Sequence, residues 1–436
     1  TTNGQQAKIM SFESAINYNT YHKYVNLKNK LRYDYKGINL AVVCAIDFIE
    51  IFIDDRKITL RKLAEILFKR LKLRQIKKTF CNYDYLFTSD VPGRKDHEQL
   101  IQNIQNDIPN SSYTKLEYYF IPYFNPIRFY KFLKHLRKEE EIRNVFFLQQ
   151  FYLAAKFTFY ARLIDKLEYT FNKMDLDGKR YIPLNSSAYT ESALTMYFNN
   201  KKVNTFHIFH GFFGNYKQKI ANDVVNGDNI TAHNILAMSE KQKEDLVRDF
   251  LLDKNRISIT GHPKYKGLPA KPKLTFKKCL VLNGISTYDE SFLSLLPILE
   301  EISEETGIEF SIKPHPLSKI SKRYDFSKSK INIIDKTIGI KDLLSSAKFD
   351  FAITHNTSSY YECLYHGLIA FRWDIETNMQ FTGLDDKFAS KKELLAKIEA
   401  FKIYSDNADV LYNNIKKILE YNIGIGINNY SKEITK

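Results

Sequence analysis

The sequence predicts an α/β protein with two domains, each built on a parallel β-sheet. The chain has 436 residues, more than one hydrophobic core usually organises, so two domains of roughly 200 residues each are expected. Short β-branched and aromatic runs alternate with longer amphipathic segments in both halves, which is the pattern of βα units. A segment rich in Pro, Gly and Lys, residues 261–278, separates the two series and is predicted to be a linker. We therefore expect two Rossmann-like domains that face each other across a cleft.

The first series of elements lies within residues 1–260, which we assign to an N-terminal Rossmann-like domain. Helices are predicted for segments such as ITLRKLAEILFKRLKLRQIKK and YTESALTMYFNNK. The predicted strands are INLAVVCAI (38–46), YDYLFTS (83–89), NVFFLQQ (144–150), RYIPLN (180–185), NTFHIFH (204–210) and NILAMS (234–239).

The second series begins after the linker and predicts a C-terminal Rossmann-like domain over residues 279–400. The predicted helices are SFLSLLPILEEISEETG, GIKDLLSSA and SSYYECLYHG. The predicted strands are KCLVLNG (278–284), IEFSIKPHP (308–316), INIIDK (331–336), FDFAITHN (349–356) and LIAFRWD (368–374). Amphipathic helices also occur at the C-terminal end, and those within residues 401–436 are expected to pack back on the first domain.

The charge of the chain predicts polyanionic partners. Lys and Arg total 65 against 50 Asp and Glu, which gives a formal net charge of +15. Nucleic acid, anionic lipid, acidic polysaccharide and nucleotide diphosphate all remain open on this ground. The N-terminal residues lack the apolar core of a secretory signal, and no run of about 18 apolar residues occurs. We expect a cytoplasmic protein, either free or peripheral at the inner membrane. Because Thr1 rather than Met begins the sequence, we also expect a truncated chain in which an anchor would not be seen.

Polar residues follow three strands of the second domain, where ligands of open parallel sheets bind. The loop after FDFAIT leads into a helix, whose free N–H groups and dipole suit a phosphate. One turn further, a glutamate is placed to accept hydrogen bonds from ribose hydroxyls. A nucleotide-binding site is therefore predicted. As alternatives, the hydroxyl residues are also typical of a helix cap, and a histidine between prolines can instead be buried and bonded to a main-chain carbonyl. The candidates are Ser286, Lys313, His315, Thr357, Ser358, Ser359 and Glu362.

The candidate catalytic residue lies in the first domain, in the loop FHGFFGNYKQK (209–219). His210 is predicted to act as a general base that takes the proton from an acceptor hydroxyl, with a role in holding the loop as the alternative. Lys217 and Lys219 are expected to assist the departing phosphates or to hold an anionic acceptor. Ser186 and Glu191, in LNSSAYTE (184–191), are further candidate acceptor contacts.

No pair of aspartates stands at the end of a strand, where it could hold a metal diphosphate. Asp175 and Asp177 precede a strand and are predicted to form a turn. We therefore expect no cofactor and no metal, with Lys, His and a helix N-terminus stabilising the leaving nucleotide.

Three motifs carry a resemblance to a known family: FHG (209–211), KPHP (313–316) and LLSSAKFDFAITHNTSSYYECLYHG (343–367). In this order they resemble bacterial GT-B glycosyltransferases of capsule and lipopolysaccharide synthesis, particularly sialyl- and polysialyltransferases, and CDP-glycerol glycerophosphotransferases. The similarity covers residues 180–374 and implies a GT-B fold in which His315, Ser358 and Ser359 bind the donor phosphates.

The sequence departs from both groups. The glycerophosphotransferase lysine comes four residues after the motif's glycine, whereas Lys217 comes six residues after Gly211. Asn356 replaces an aspartate before the serines. Sialyltransferases carry an acidic motif where this chain has His210. These departures leave the donor open between UDP and CMP sugars.

The leading hypothesis is an inverting, metal-independent transfer of a sugar from a nucleotide-sugar to a hydroxyl of a surface polysaccharide or lipid-linked glycan. In this hypothesis residues 1–260 form the acceptor-binding domain and residues 279–400 the nucleotide-sugar donor-binding domain. The first alternative is transfer of a polyol phosphate from a CDP-polyol. A basic nucleic-acid-binding protein is a more distant alternative, because no recognised aromatic-plus-basic module is present. No nucleic-acid partner is therefore expected.

Overall fold

The structure is a computed structural model that describes residues 18–53, 55–90, 95–121, 124–211, 223–284, 289–316, 318–375 and 383–436. The chain forms two compact units. The first takes in residues up to Lys264 and again from Asn428 to Lys436, and the second runs from Tyr265 to Ile427. The second unit is thus inserted, in sequence, into the first.

The first unit contains a parallel sheet of six strands in the order β6-β5-β4-β3-β1-β2. The chain builds outward to one side from β1 to β2 and to the other side from β3 to β6, so the direction of winding reverses between β1 and β3. The strands are β1 Tyr85–Ser89, β2 Ser111–Lys115, β3 Arg180–Pro183, β4 Asn204–Ile208, β5 Asn234–Ala237 and β6 Ile257–Ile259.

Helices connect these strands and form a second hydrophobic layer around the longest of them, the 25-residue α9. Two short antiparallel pairs, Asp34–Tyr35 with Ile38–Asn39 and Lys69–Leu71 with Tyr118–Phe120, lie outside the sheet. The helices are α1 Tyr18–Lys30, α2 Leu40–Val43, α3 Ala45–Phe52, α4 Leu60–Phe68, α5 Leu73–Asn82, α6 Lys95–Gln105, α7 Pro126–Leu136, α8 Glu140–Arg143, α9 Phe147–Phe171, α10 Tyr189–Asn200, α11 Asp223–Asp228 and α12 Glu240–Phe250, with a 3₁₀ turn at Lys254–Arg256.

Two strand predictions in this unit are wrong. INLAVVCAI forms only a two-residue strand, after which the chain turns into α2 and α3. NVFFLQQ opens α9, with the main-chain N–H of Phe146 donating to Oε1 of Gln149 at 3.0 Å. Most of INLAVVCAI is buried in the helical layer, whereas Phe146 and Phe147 of NVFFLQQ are exposed at the start of α9. A short apolar run does not by itself distinguish a helix from a strand.

The second unit contains another six-stranded parallel sheet, in the order β9-β8-β7-β10-β11-β12. The winding starts at β7, proceeds to one edge through β8 and β9, and returns to the other side at β10. The strands are β7 Lys278–Asn283, β8 Glu309–Lys313, β9 Asn332–Ile333, β10 Phe351–His355, β11 Ile369–Trp373 and β12 Lys387–Phe388.

The helices of the second unit follow the predicted positions. Gly307, with φ of +70°, ends α14 in the left-handed conformation that glycine adopts without strain. The helices are α13 Asp289–Leu293, α14 Leu296–Thr306, α15 Ile340–Ser345, α16 Ser359–Tyr365, α17 Lys391–Lys402 and α18 Ala408–Ile423, with 3₁₀ turns at Ile320–Lys322, Phe326–Lys328 and Ile403–Asn407.

The prediction of two Rossmann-like domains is confirmed by these two parallel sheets. The unit boundaries differ from the predicted ones, because most of the expected linker belongs to the second unit. Within it, Ala270 and Lys273 donate main-chain hydrogen bonds to Tyr365 at 2.9 Å and Gly367 at 2.8 Å. Of the C-terminal helices, only α19, Tyr430–Thr435, belongs to the first unit. Among the helices that the structure describes, none has both the length and the apolar character of a membrane span.

Candidate functional site

The sheet of the second unit has its topological switch point between β7 and β10, where the connections leave in opposite directions. Asn283 and His355 end these two strands side by side. Gly284 follows and donates its N–H to the carbonyl of His355 at 2.9 Å. A Cβ on Gly284 would stand 2.5 Å from the carbonyl oxygen of Asn356, so only glycine fits here. Ligands of open α/β sheets bind in the crevice at such a point.

Two amides at the switch point carry buried atoms without a partner. Neither Oδ1 of Asn283 nor Nδ2 of Asn356 has a hydrogen-bond partner among the described residues. Asn283 is 4% exposed, and its Nδ2 donates to Oδ1 of Asp289 at 2.9 Å, which fixes the orientation of the amide. Asn356 has φ of +47°, in the left-handed region that asparagine tolerates better than most residues. The site therefore has one acceptor and one donor to offer to a ligand.

The three hydroxyl residues lie directly after Asn356, at the start of α16. Ser359 donates its N–H to Oγ1 of Thr357 at 3.3 Å, and the Oγ atoms of these two residues are 3.2 Å apart. Ser358 precedes the helix without a side-chain capping bond, and its side chain is half-buried. Thr357 thus accepts the first main-chain N–H of α16 from the position before the N-cap, while the N-cap residue Ser358 makes no such bond.

The KPHP segment follows β8, the strand next to β7. Lys313 is 5% exposed and its ammonium donates to the carbonyls of Pro314 at 3.2 Å and Lys336 at 3.3 Å. Burial lowers the pKa of Lys313. His315 is half-buried, and its carbonyl accepts a hydrogen bond from the N–H of Ser318 at 2.8 Å.

Asp289 links the segment after KPHP to the switch point. This carboxylate is 2% exposed and accepts hydrogen bonds from Oγ of Ser318 at 2.7 Å and the N–H of Lys319 at 2.8 Å, besides the bond from Asn283. The loops after β7 and β8 are therefore held together by one buried acid.

Glu362 lies one turn into α16 and is half-buried. The hydroxyl of Tyr265 donates a hydrogen bond to its carboxylate, and burial together with that charge raises the pKa of Tyr265. The hydrogen bond from Tyr265 thus occupies part of the acceptor capacity of Glu362. Three of the predicted residues, Ser286, Lys217 and Lys219, lie outside the described residues.

The catalytic candidate of the first unit, His210, lies just beyond the carboxyl end of β4 and is exposed. Its ring centroid is 4.8 Å from that of His97 of α6, which is 4% exposed. His97 was not a sequence candidate, because it lies 113 positions earlier in the chain and only the folding of β1 and α6 brings it to this edge.

The other histidine of this strand has a structural arrangement. Nδ1 of His207 accepts the main-chain N–H of Ser186 at 3.1 Å and lies 2.9 Å from its Oγ. Burial, with the nearby His210, lowers the pKa of His207 to about 3, so the ring is neutral and carries its proton on Nε2. Ser186 is itself 0% exposed, so its role as an acceptor contact stays a prediction without a surface contact in this structure.

Glu191 belongs to a buried polar cluster at the switch point of the first sheet. It is 2% exposed and accepts hydrogen bonds from Oγ1 of Thr88 at 2.8 Å and the N–H of Leu184 at 3.1 Å. Burial, followed by the charge of Asp90, raises the pKa of Glu191 to about 8. Tyr118 donates its hydroxyl proton to Asp90. Glu191 thus joins β1 to the segment that follows β3.

The two aspartates before β3 form a turn, in which the N–H of Asp177 donates to Oδ1 of Asp175 at 3.0 Å. In the part of the chain that the structure describes, no group of three or more His, Cys, Asp or Glu side chains is arranged to hold a metal ion.

Comparison with protein-family models and with curated proteins finds no match for this sequence. Among solved structures, UDP-GlcNAc 2-epimerase from Neisseria meningitidis bound to UDP-GlcNAc has a TM-score of 0.48 and 12% identity, and the match covers 80% of this chain and 98% of that one. UDP-GlcNAc 2-epimerase from Methanocaldococcus jannaschii has a TM-score of 0.43 and 13% identity, over 72% and 91% of the chains. The wall teichoic acid polymerase TagF has a TM-score of 0.45 and 14% identity, over 86% and 94%. With TM-scores below 0.5, these similarities assign no function to this chain.

Proposed function

We propose that the protein is a glycosyltransferase that moves a sugar from a UDP- or CMP-linked donor to a hydroxyl of a bacterial surface polysaccharide or lipid-linked glycan. The observation that carries this proposal is the pair of amide atoms at the second switch point, Oδ1 of Asn283 and Nδ2 of Asn356. A buried polar atom without a partner costs about 1 to 3 kcal/mol, and a ligand that supplies the partner recovers this free energy.

A nucleotide matches the chemistry around these two atoms. The hydroxyls of Thr357, Ser358 and Ser359 lie next to Asn356 in sequence and supply donors for phosphate oxygens. An amide donor and an amide acceptor suit the edge of a base or the hydroxyls of a ribose. The position at the switch point of a parallel sheet is the one at which nucleotides bind in this class of fold.

Positive charge for the leaving nucleotide comes from the neighbouring loop in this proposal. His315 stands between two prolines, which restrict its backbone, and it follows Lys313 at the end of β8. Lys313 holds the loop through hydrogen bonds to two carbonyls, and its ammonium adds positive charge to this loop. Because such groups stabilise a departing diphosphate or monophosphate by themselves, we propose a reaction that needs no metal.

His210 is proposed to be the general base. An exposed imidazole at the carboxyl end of a strand can accept the proton of an acceptor hydroxyl near neutral pH. We expect His210→Ala to lower turnover by about 100-fold or more while donor affinity stays unchanged. Wild-type turnover in this variant would assign the base to another residue.

The donor class is tested by a nucleotide-release screen with UDP-sugars, CMP-sugars and CDP-glycerol, each with and without a glycan acceptor. We expect release from one UDP- or CMP-sugar. Release from CDP-glycerol alone would replace the proposal with transfer of a polyol phosphate. Tight, salt-sensitive binding of RNA or DNA without any nucleotide release would replace it with nucleic-acid binding.

The donor site is tested by calorimetry with the donor found in the screen. Asn356→Asp keeps the size of the side chain but replaces the Nδ2 donor with a charged oxygen, so we expect binding to weaken by about tenfold or more. His315→Ala should weaken binding as well, while His366→Ala, another half-buried histidine of the second unit, serves as the control. Unchanged affinity in both site variants would place the donor elsewhere.

A further inference from the structure

Helix α7 exposes an apolar face that continues into a basic one. Its buried side consists of Phe129, Phe132, Leu133 and Leu136, while Ile127 is 82% exposed and Tyr130 is 66% exposed. Lys131 and Lys134 are exposed as well. These four exposed residues are spaced at i, i+3, i+4 and i+7, so they share one face of the helix.

Two further aromatic rings of this unit are exposed. Phe146 is 73% exposed and Phe147 is 58% exposed, at the start of α9. The ring of Phe147 lies 4.1 Å from that of Phe151, which lies 5.2 Å from that of Phe129 in α7. Because Phe129 lies on the buried side of α7, these contacts do not extend the exposed face, and we call Ile127, Tyr130, Lys131 and Lys134 the aromatic-basic surface.

The charge of this surface has one sign. From Tyr118 to Lys138 the sequence contains five Lys and Arg and no acidic residue. Arg128 is paired with Asp165 at 2.8 Å, whereas no ion pair joins Lys131 or Lys134 to any described residue. The acidic residues Glu139, Glu140 and Glu141 come only beyond the carboxyl end of α7, and Glu141 is paired with Lys30.

We propose that the aromatic-basic surface docks the first unit on the headgroups of an anionic lipid bilayer. Aliphatic and aromatic side chains beside lysines are the composition of helices that lie in a membrane interface, where the rings enter the acyl boundary and the ammonium groups meet the phosphates. The proposal does not rest on the transfer reaction.

Other occupants fit the surface less well. In a symmetric dimer formed through this face, the two copies would bring the same positively charged patch together, and like charges would oppose association. A nucleic acid would satisfy the lysines but would leave the aliphatic side chain of Ile127 exposed. An anionic bilayer satisfies both components.

The test is flotation of the full chain with vesicles of phosphatidylcholine alone or mixed with phosphatidylglycerol. We expect binding to the anionic vesicles only, weakened by salt because screening shortens the reach of the lysines. Lys131→Gln with Lys134→Gln should lower affinity about 25-fold, at about fivefold per lysine. Ile127→Ser with Tyr130→Ser should lower affinity by about tenfold or more.

The matched control is Tyr169→Ser with Lys173→Gln, which removes an 87% exposed ring and an exposed lysine at the other end of α9. This variant should bind as the wild type does, and circular dichroism should show all variants folded. Equal binding to both vesicle types, or equal binding by all variants, would overturn the proposal. A dimer in sedimentation that Ile127→Ser with Tyr130→Ser abolishes, or tighter binding to an RNA oligonucleotide than to vesicles, would also overturn it.

Discussion

The pH dependence of stability should change when Glu191 is replaced by Gln. Glu191 is 2% exposed and is held by Thr88 and the N–H of Leu184. Burial and the charge of Asp90 raise its pKa from 4.5 to about 8. At neutral pH the folded protein therefore keeps a proton on this carboxyl that the unfolded chain releases.

The sign and the size of the effect follow from proton linkage. Between pH 4.5 and about 8 the folded state binds one proton more than the unfolded state, so the free energy of unfolding decreases as pH rises. The slope is about 1.4 kcal/mol per pH unit, and the whole effect is about 3 to 5 kcal/mol. This contribution of Glu191 to the free energy of unfolding is fully present below pH 4.5 and is lost by about pH 8. Gln has nearly the same shape and no titrating proton, so the variant should lack this slope.

Urea unfolding at acidic, neutral and alkaline pH, followed by circular dichroism, measures the difference between the two proteins. Hydrogen exchange of peptides from β1 and β3 locates the effect in the first sheet. Glu117→Gln removes an exposed carboxylate that pairs with Lys72 at 2.9 Å and is the control. A stability difference between wild type and Glu191→Gln that stays constant with pH would refute the reasoning.

Three further predictions concern the second unit and the reaction. Gly284→Ala should cost about 1 to 3 kcal/mol in thermal unfolding, because its Cβ would stand 2.5 Å from the carbonyl oxygen of Asn356. Gly267→Ala should be nearly neutral, because its Cβ would stand 3.5 Å from the hydroxyl oxygen of Tyr365, an ordinary contact distance. An equally stable Gly284→Ala would contradict the close approach of the two strand ends. Asp386→Ala leaves the buried guanidinium of Arg372 without its carboxylate and should cost about 3 to 5 kcal/mol in urea unfolding, and a smaller loss would mean that water reaches the site. Turnover should be unchanged by EDTA, and a loss restored by a divalent cation would overturn the metal-independent mechanism.

The sequence predicted the second sheet well because its strands are short apolar runs bounded by Gly and polar residues. It predicted the edge strand at Asn332–Ile333 but missed the other edge strands, two of them for a physical reason that their sequences show. Ser111–Lys115 is made of polar residues at the margin of the first sheet, and Lys387–Phe388 has only two residues. A strand with few apolar contacts leaves no hydrophobic pattern to detect. The reverse error occurred at NVFFLQQ, where apolar residues belong to a helix that is buried on several sides.

The sequence predicted where the candidate site lies but not which side chains come together there. Strand ends and a following helix point to the loop at Thr357, but the amides at Asn283 and Asn356 depend on which strands become neighbours. Strand order is set by packing over long sequence distances, and the loop sequence does not contain it. Asn283, the last residue of strand β7, was nevertheless a signal in the sequence, because a polar residue that ends a buried strand needs a hydrogen-bond partner.

The insertion of the second unit has a consequence for synthesis. Tyr430 and Ile434 of α19 are buried in the same hydrophobic cluster as Leu236 and Ile257 of the first sheet, and Oγ of Ser258 donates to Glu433 at 2.8 Å. During translation the inserted unit is complete before the ribosome has made these residues. The first unit therefore cannot complete its hydrophobic core until α19 has been synthesised. Chaperone contact during that interval, and proteolysis of chains that stop before α19, would act on the first unit rather than on the second.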